Sequence, residues 1–60
     1  MIVRKISDDE FSITATADEL IVLGNCLNEV CHGIAVLEFE TRLGGTREEV
    51  SEMLDEIRLR

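Results

Sequence analysis

The sequence has no tryptophan, no tyrosine and no proline, and Phe11 and Phe39 are its only aromatic residues. Its apolar mass is isoleucine, leucine and valine, which pack well but make a thin core in 60 residues. Basic residues are also few: 6 Lys and Arg stand against 13 Asp and Glu, for a net charge of −7. Nucleic-acid affinity comes mostly from neutralising phosphates with Lys and Arg, so this balance argues against a nucleic-acid partner. It argues equally against attachment to an anionic membrane surface. No apolar run approaches the ~18 residues of a membrane span. The opening Met1-Ile2-Val3-Arg4-Lys5-Ile6 lacks the apolar stretch of a signal peptide. The expected compartment is the cytoplasm.

Cysteine and histidine are equally sparse. Cys26 and Cys31 stand five apart on a predicted helix, about 140° apart around its axis. Their Cβ vectors diverge, so they cannot bridge within that helix, and both are expected as small apolar residues of the core or its rim. With His32, the single histidine, they supply metal-ligand types that point in three directions. A structural zinc site takes four ligands, typically in paired short spacings. No metal and no cofactor is expected.

What is present is a helix-start signal that occurs twice. Thr16-Ala17-Asp18-Glu19 and Thr46-Arg47-Glu48-Glu49 both read Thr-x-x-Glu before an apolar-periodic run. In such a capping box the Thr hydroxyl accepts the N3 backbone N–H, and the Glu side chain reaches back to the N-cap N–H. The first helix is expected over Ala17 to about His32, with Leu20, Leu23, Leu27, Val30 and Cys31 on one face. Gly33 is placed to end it in the left-handed conformation. The second helix is expected from Arg47 to about Leu59, with Val50, Met53, Leu54 and Ile57 at i, i+3, i+4, i+7.

Ahead of the helices, residues 2–6 read as a strand and 11–15 alternate Phe11, Ile13, Ala15 against Ser12, Thr14. With Ser7-Asp8-Asp9-Glu10 as a four-residue loop they predict a β-hairpin. Residues 34–40 read as a short third strand or, preferred here, an extended connector whose Leu37 and Phe39 plug the core, and 41–45 as a turn in which Gly44-Gly45 permits positive φ. The expected fold is a single α+β domain over residues 1–60: a β-hairpin followed by two amphipathic helices (ββαα), with the helices packed on one face of the hairpin. A chain this short buries only ~60% of its unfolded surface, and two strands leave open edges. A homodimer is therefore expected, with C2 symmetry the default. It would form through a continuous four-stranded sheet or through Ile21 and Val22, which lie off the main helical stripe.

Three clusters carry candidate chemistry. Asn25, Asn28, Glu29 and His32, spaced 0, 3, 4, 7, line one face of the first helix. They read as a partner-binding patch or a solvated face. Glu29 beside His32 offers an acid–base pair for catalysis in a dimer cleft, but no nucleophile or substrate clamp accompanies it. The Gly44-Gly45-Thr46 helix start, flanked by Arg42 and Arg47, offers N–H groups to an anion. There Glu48 and Glu49 already answer the helix dipole, and no Lys follows the glycines as in a P-loop. Arg42 is expected to bridge to an acid of the second helix and is a further candidate for partner binding.

Residues 23–33, Leu23-Gly24-Asn25-Cys26-Leu27-Asn28-Glu29-Val30-Cys31-His32-Gly33, and Phe39-Glu40-Thr41-Arg42-Leu43-Gly44 resemble a family of small bacterial proteins. That family carries an LNEVC-x-G segment and an F-x-TRLG segment before an acidic helix. The resemblance spans the chain from about residue 11 and brings no activity with it. It implies a small bacterial protein, with Asn28, Glu29, Gly33, Thr41, Arg42 and Gly44 the first positions to test.

These readings converge on a small acidic protein-interaction module that is not an enzyme and works as a homodimer. A sharper alternative is an immunity- or antitoxin-like neutraliser of a basic effector protein, since a −7 chain would be steered towards such a partner. The enzyme reading through Glu29 and His32 is the second alternative.

Overall fold

The structure, a computed structural model, describes residues 1–58. It is ββαα in outline: an antiparallel hairpin, a long helix, a connector with one short helical turn, and a second long helix. Strand β1 is Ile2–Lys5 and β2 is Phe11–Thr14, in the register Ile2↔Thr14, Val3↔Ile13, Arg4↔Ser12, Lys5↔Phe11. The turn is tied by the Ile6 and Ser7 N–H groups, which donate to the Glu10 carbonyl at 2.9 and 3.1 Å. Each strand is one residue shorter than the sequence predicts, because Ile6 joins the turn and Ala15 leads into the helix.

Helix α1, Ala17–Asn28, starts at a complete capping box. The Glu19 N–H donates to Thr16 Oγ1 at 3.1 Å, and the Thr16 N–H donates to Glu19 Oε1 at 2.9 Å. Its last turn widens into a π turn, Glu29–Gly33. Two expectations change here. The regular helix stops at Asn28 rather than His32, and Gly33 does not end it in the left-handed region. The ending residue is Ile34, extended at φ −122° and ψ 157°, whose N–H donates to the Glu29 carbonyl at 2.9 Å. Gly33 serves a different purpose: a Cβ there would run into the Glu29 carboxylate.

The extended connector expected to run to 40 and the turn expected at 41–45 give way to a short helix, and Leu37, expected to plug the core, is 76% exposed while Phe39 is half-buried. Helix α2 is Phe39–Leu43, entered through Glu38 in the left-handed region (φ 53°, ψ 51°) and left through Gly44 at φ 80°. The Gly44 N–H donates to the Glu40 carbonyl at 2.8 Å, so the glycine does what its position suggested one turn later than a simple loop. Helix α3, Arg47–Arg58, opens on the second capping box, with Glu49 N–H to Thr46 Oγ1 at 3.1 Å and Thr46 N–H to Glu49 Oε1 at 2.9 Å. The expected end at Leu59 lies outside the described residues.

α1 and α3 pack antiparallel. Gly24, buried in mid-α1, faces Ile57 near the far end of α3, with 3.6 Å between its ideal Cβ position and Ile57 Cγ2. The π turn meets the start of α3, where Arg47 reaches the Cys31 carbonyl. The buried apolar side chains are Leu54 (1% exposed), Cys31 and Val50. Met53, expected in the same stripe, is 53% exposed. It flanks the contact, because the narrow α1–α3 seam admits only the Val50–Leu54–Ile57 edge of α3.

The hairpin departs most from expectation. The helices pack on each other and not on its apolar face, and every residue of both strands is exposed. A compact monomer of 6.8 kDa exposes about 4,000 Å²; this chain exposes 4919 Å². Its radius of gyration is 12.6 Å, against about 10.4 Å for a compact domain of this length. Among the described residues the buried side chains Leu54, Cys31 and Val50 lie between the helices, and none covers the hairpin.

Candidate interaction surface

The hairpin register sorts its side chains into two faces. Successive residues of a strand alternate, and residues opposite each other share a face. Val3, Lys5, Phe11 and Ile13 therefore stand on one side; Ile2, Arg4, Ser12 and Thr14 stand on the other. Val3, Phe11 and Ile13 are 59%, 57% and 62% exposed. A lone two-stranded hairpin is marginal in water, and needs further strands or a covering layer. The surface in excess of a compact monomer is roughly 900 Å², close to the roughly 800 Å² that each partner buries in a standard interface.

The charge on this surface differs from the rest of the chain. β1 carries Arg4 and Lys5, and β2 carries no charge at all. The loop between them carries Asp8, Asp9 and Glu10, with Lys5 Nζ 3.2 Å from Asp8 Oδ1 in an exposed pair of little energetic weight. The helices hold most of the remaining acids. Met1's ammonium lies 2.8 Å from Glu19 Oε2, next to the first capping box. That contact first, and the Thr16 N–H second, hold the Glu19 carboxyl below its usual range. The Thr46 N–H does the same for Glu49.

The four residues of the α1 stripe do not form a site. Asn25, Glu29 and His32 are exposed and Asn28 is half-buried. Among the described residues none of these side chains makes a hydrogen bond or ion pair, so Glu29 and His32 are not joined. The reason is the π turn. It breaks the even α-helical spacing that would align them, and Glu29 folds over Gly33 instead. Cys26 is exposed and Cys31 buried, both as free thiols. Among the described residues no group of three His, Cys, Asp or Glu side chains is placed to hold a metal ion. Ile21 and Val22 are exposed, at 46% and 59%, and the residues one turn before them are Asp18 and Glu19.

Arg42 forms no ion pair among the described residues, contrary to the expected bridge to the second helix. It borders an open groove of about 620 Å³ over the connector, with Val30, Ile34, Val36, Leu37 and Leu43. The structural arginine is Arg47. Its Nη1 donates to the Cys31 carbonyl at 2.5 Å and, more weakly, to the Val30 carbonyl at 3.4 Å. Its guanidinium lies 4.6 Å from the centre of the Phe39 ring. One side chain thus joins the end of α1, helix α2 and the start of α3. In the sequence it is merely the first x of the second Thr-x-x-Glu box. Its only signal was its place in the first turn of a helix that must meet another helix's open carbonyls.

Among the described residues no helix is long and apolar enough to cross a membrane. No family model, no curated protein and no solved structure matches this chain.

Proposed function

We propose that this chain is a non-enzymatic protein-interaction module that works as a homodimer closed through its hairpin. The observation that carries the reading is a two-stranded hairpin whose every strand residue is exposed, a unit that is marginal in water until further strands extend it or a layer covers it. The separation of Glu29 from His32 weighs against acid–base chemistry on α1. The free thiols of Cys26 and Cys31 suit the reducing cytoplasm, where this reading places the protein. Sedimentation equilibrium tests it. The expected mass is twice 6.8 kDa, with a melting temperature that rises with protein concentration, as mass action requires. A monomer at all concentrations, melting at one temperature, overturns it.

A second reading concerns what the dimer presents outward. Glu48, Glu52, Asp55 and Glu56 are exposed on α3, and among the described residues none has an ion-pair partner. This face suits a basic protein, in the manner of an immunity or antitoxin protein that neutralises a basic effector. Affinity capture from the native host at low and high salt tests it. A basic protein held at low salt and released at high salt supports the reading; recovery of the chain alone removes it.

A further inference from the structure

We infer that two copies join edge to edge along β2, forming a four-stranded antiparallel sheet of order β1-β2-β2-β1 in which Phe11 of each copy lies opposite the partner's Ile13. This rests on the homodimer reading and fixes its geometry.

The hydrogen-bond phase of the hairpin identifies what β2 has left to offer. The Ile6 N–H donates to the Glu10 carbonyl, so the next pair, Lys5↔Phe11, is a non-hydrogen-bonded one. Antiparallel pairs alternate, so Arg4↔Ser12 and Ile2↔Thr14 exchange the hydrogen bonds. The backbone groups of Ser12 and Thr14 are spent on β1. Those of Phe11 and Ile13 point to the open side of β2, and those of Val3 and Lys5 point to the open side of β1.

Charge then chooses between the edges. β1 carries Arg4 and Lys5, the device by which edge strands resist pairing. β2 reads Phe11-Ser12-Ile13-Thr14, uncharged and rich in β-formers. Two copies of a −7 chain repel, and the two strands are a segment with no acid at all. The other route, through Ile21 and Val22, would bring Asp18 and Glu19 of both copies together.

Face parity limits the register. A one-residue slip would put the apolar side of one hairpin beside the polar side of the other. Three registers about a two-fold axis keep Val3, Phe11 and Ile13 of both copies on one side. One sets Phe11 opposite Phe11 and leaves Ile13 opposite Asp9 of the acidic turn; one sets Phe11 opposite Ala15; the third sets Phe11 opposite Ile13 twice, the aromatic–β-branched pairing that stabilises sheets. The third places Ser12 directly opposite the partner's Ser12 at a non-hydrogen-bonded position.

Two sets of variants test this in the full chain. Opposed residues at a non-hydrogen-bonded position lie about 4.5 Å apart at Cα, within disulfide reach. In a Cys26→Ser background, Ser12→Cys is expected to give a disulfide-linked dimer in air, at least tenfold faster than Thr14→Cys, whose two copies would lie roughly 14 Å apart. Ile13→Pro removes an N–H that points outward, leaves the β1–β2 ladder intact, and is expected to weaken the dimer at least 100-fold with helical signal unchanged. Val3→Pro, the same change on the other edge, is expected to leave the dimer in place. If the parent is dimeric but Ser12→Cys cross-links no faster than Thr14→Cys, or Ile13→Pro stays dimeric, the β2 geometry is wrong and the homodimer stands. If the parent is a monomer, both readings fall.

Discussion

Replacing Arg47 by alanine should lower the stability of the helix pair by about 2 kcal/mol. Three contacts make up this figure. A hydrogen bond from a charged donor to a carbonyl contributes roughly 1.5–3 kcal/mol, and the partly exposed bond to the Cys31 carbonyl belongs at the lower end. The Val30 bond, at 3.4 Å, lies beyond the usual range and adds little. A guanidinium over an aromatic ring adds about 0.5 kcal/mol at an exposed site, here 4.6 Å above Phe39. The accepting carbonyls end a helix and carry its negative partial charge, so the cation is well placed. A 60-residue chain at roughly 0.05–0.15 kcal/mol per residue has about 3–9 kcal/mol in all, so the loss is large. With a urea slope of about 1 kcal/mol/M, the midpoint should fall by about 2 M. The assay is urea unfolding by far-UV circular dichroism at one fixed protein concentration, because self-association shifts apparent stability. Arg47→Lys keeps the charge without the planar fork and should lose about half as much. An Arg47–Phe39 double-mutant cycle should return a coupling of about 0.5 kcal/mol. An Arg47→Ala midpoint within about 0.5 M of the parent would refute the assignment of Arg47 as the joint of the three helices.

Three further outcomes follow from the same structure. Leu54→Ala should cost about 3 kcal/mol by emptying the most buried position, whereas Met53→Ala, on the exposed flank, should cost under about 0.5 kcal/mol; equal losses in urea unfolding would contradict the packing described. Glu38→Gly should stabilise by up to about 1 kcal/mol, because Glu38 sits at φ 53°, where side chains are strained and glycine is not; a lower melting temperature would argue that the Glu38 side chain holds the connector. Glu19 and Glu49 are held below their ordinary 4.5 in the fold. The stability they contribute is therefore complete above that value and lost as pH falls through their lower, folded values. The gap in urea midpoint between the parent and Glu19→Gln/Glu49→Gln should be largest near neutrality and shrink as pH falls below 4.5; a gap independent of pH would exclude the charged capping contacts as its source.

The sequence by itself determined the elements whose causes are local. Thr16 with Glu19 and Thr46 with Glu49 satisfy each other's N–H groups three residues apart, so both helix starts were legible without any knowledge of the fold. Alternation marked the hairpin, and helical periodicity marked Val50, Leu54 and Cys31 as inward-facing. Tertiary structure decided the rest, where the deciding partner is distant in sequence. The π turn at Glu29–Gly33 moved Glu29 onto Gly33 and away from His32, a shift of spacing that a uniform helical period cannot anticipate. Arg47 took the structural role expected of Arg42 because the carbonyls it meets lie 16 and 17 residues earlier in the chain. Helix α2 formed at 39–43 because Glu38 and Gly44 both adopt left-handed backbone, a choice visible in the sequence only at the glycine. The hairpin's position was the least legible of all. Its strand pattern marks a hairpin that is marginal by itself, but that pattern is the same whether a helix of this chain packs on it or the strand of a second copy extends it.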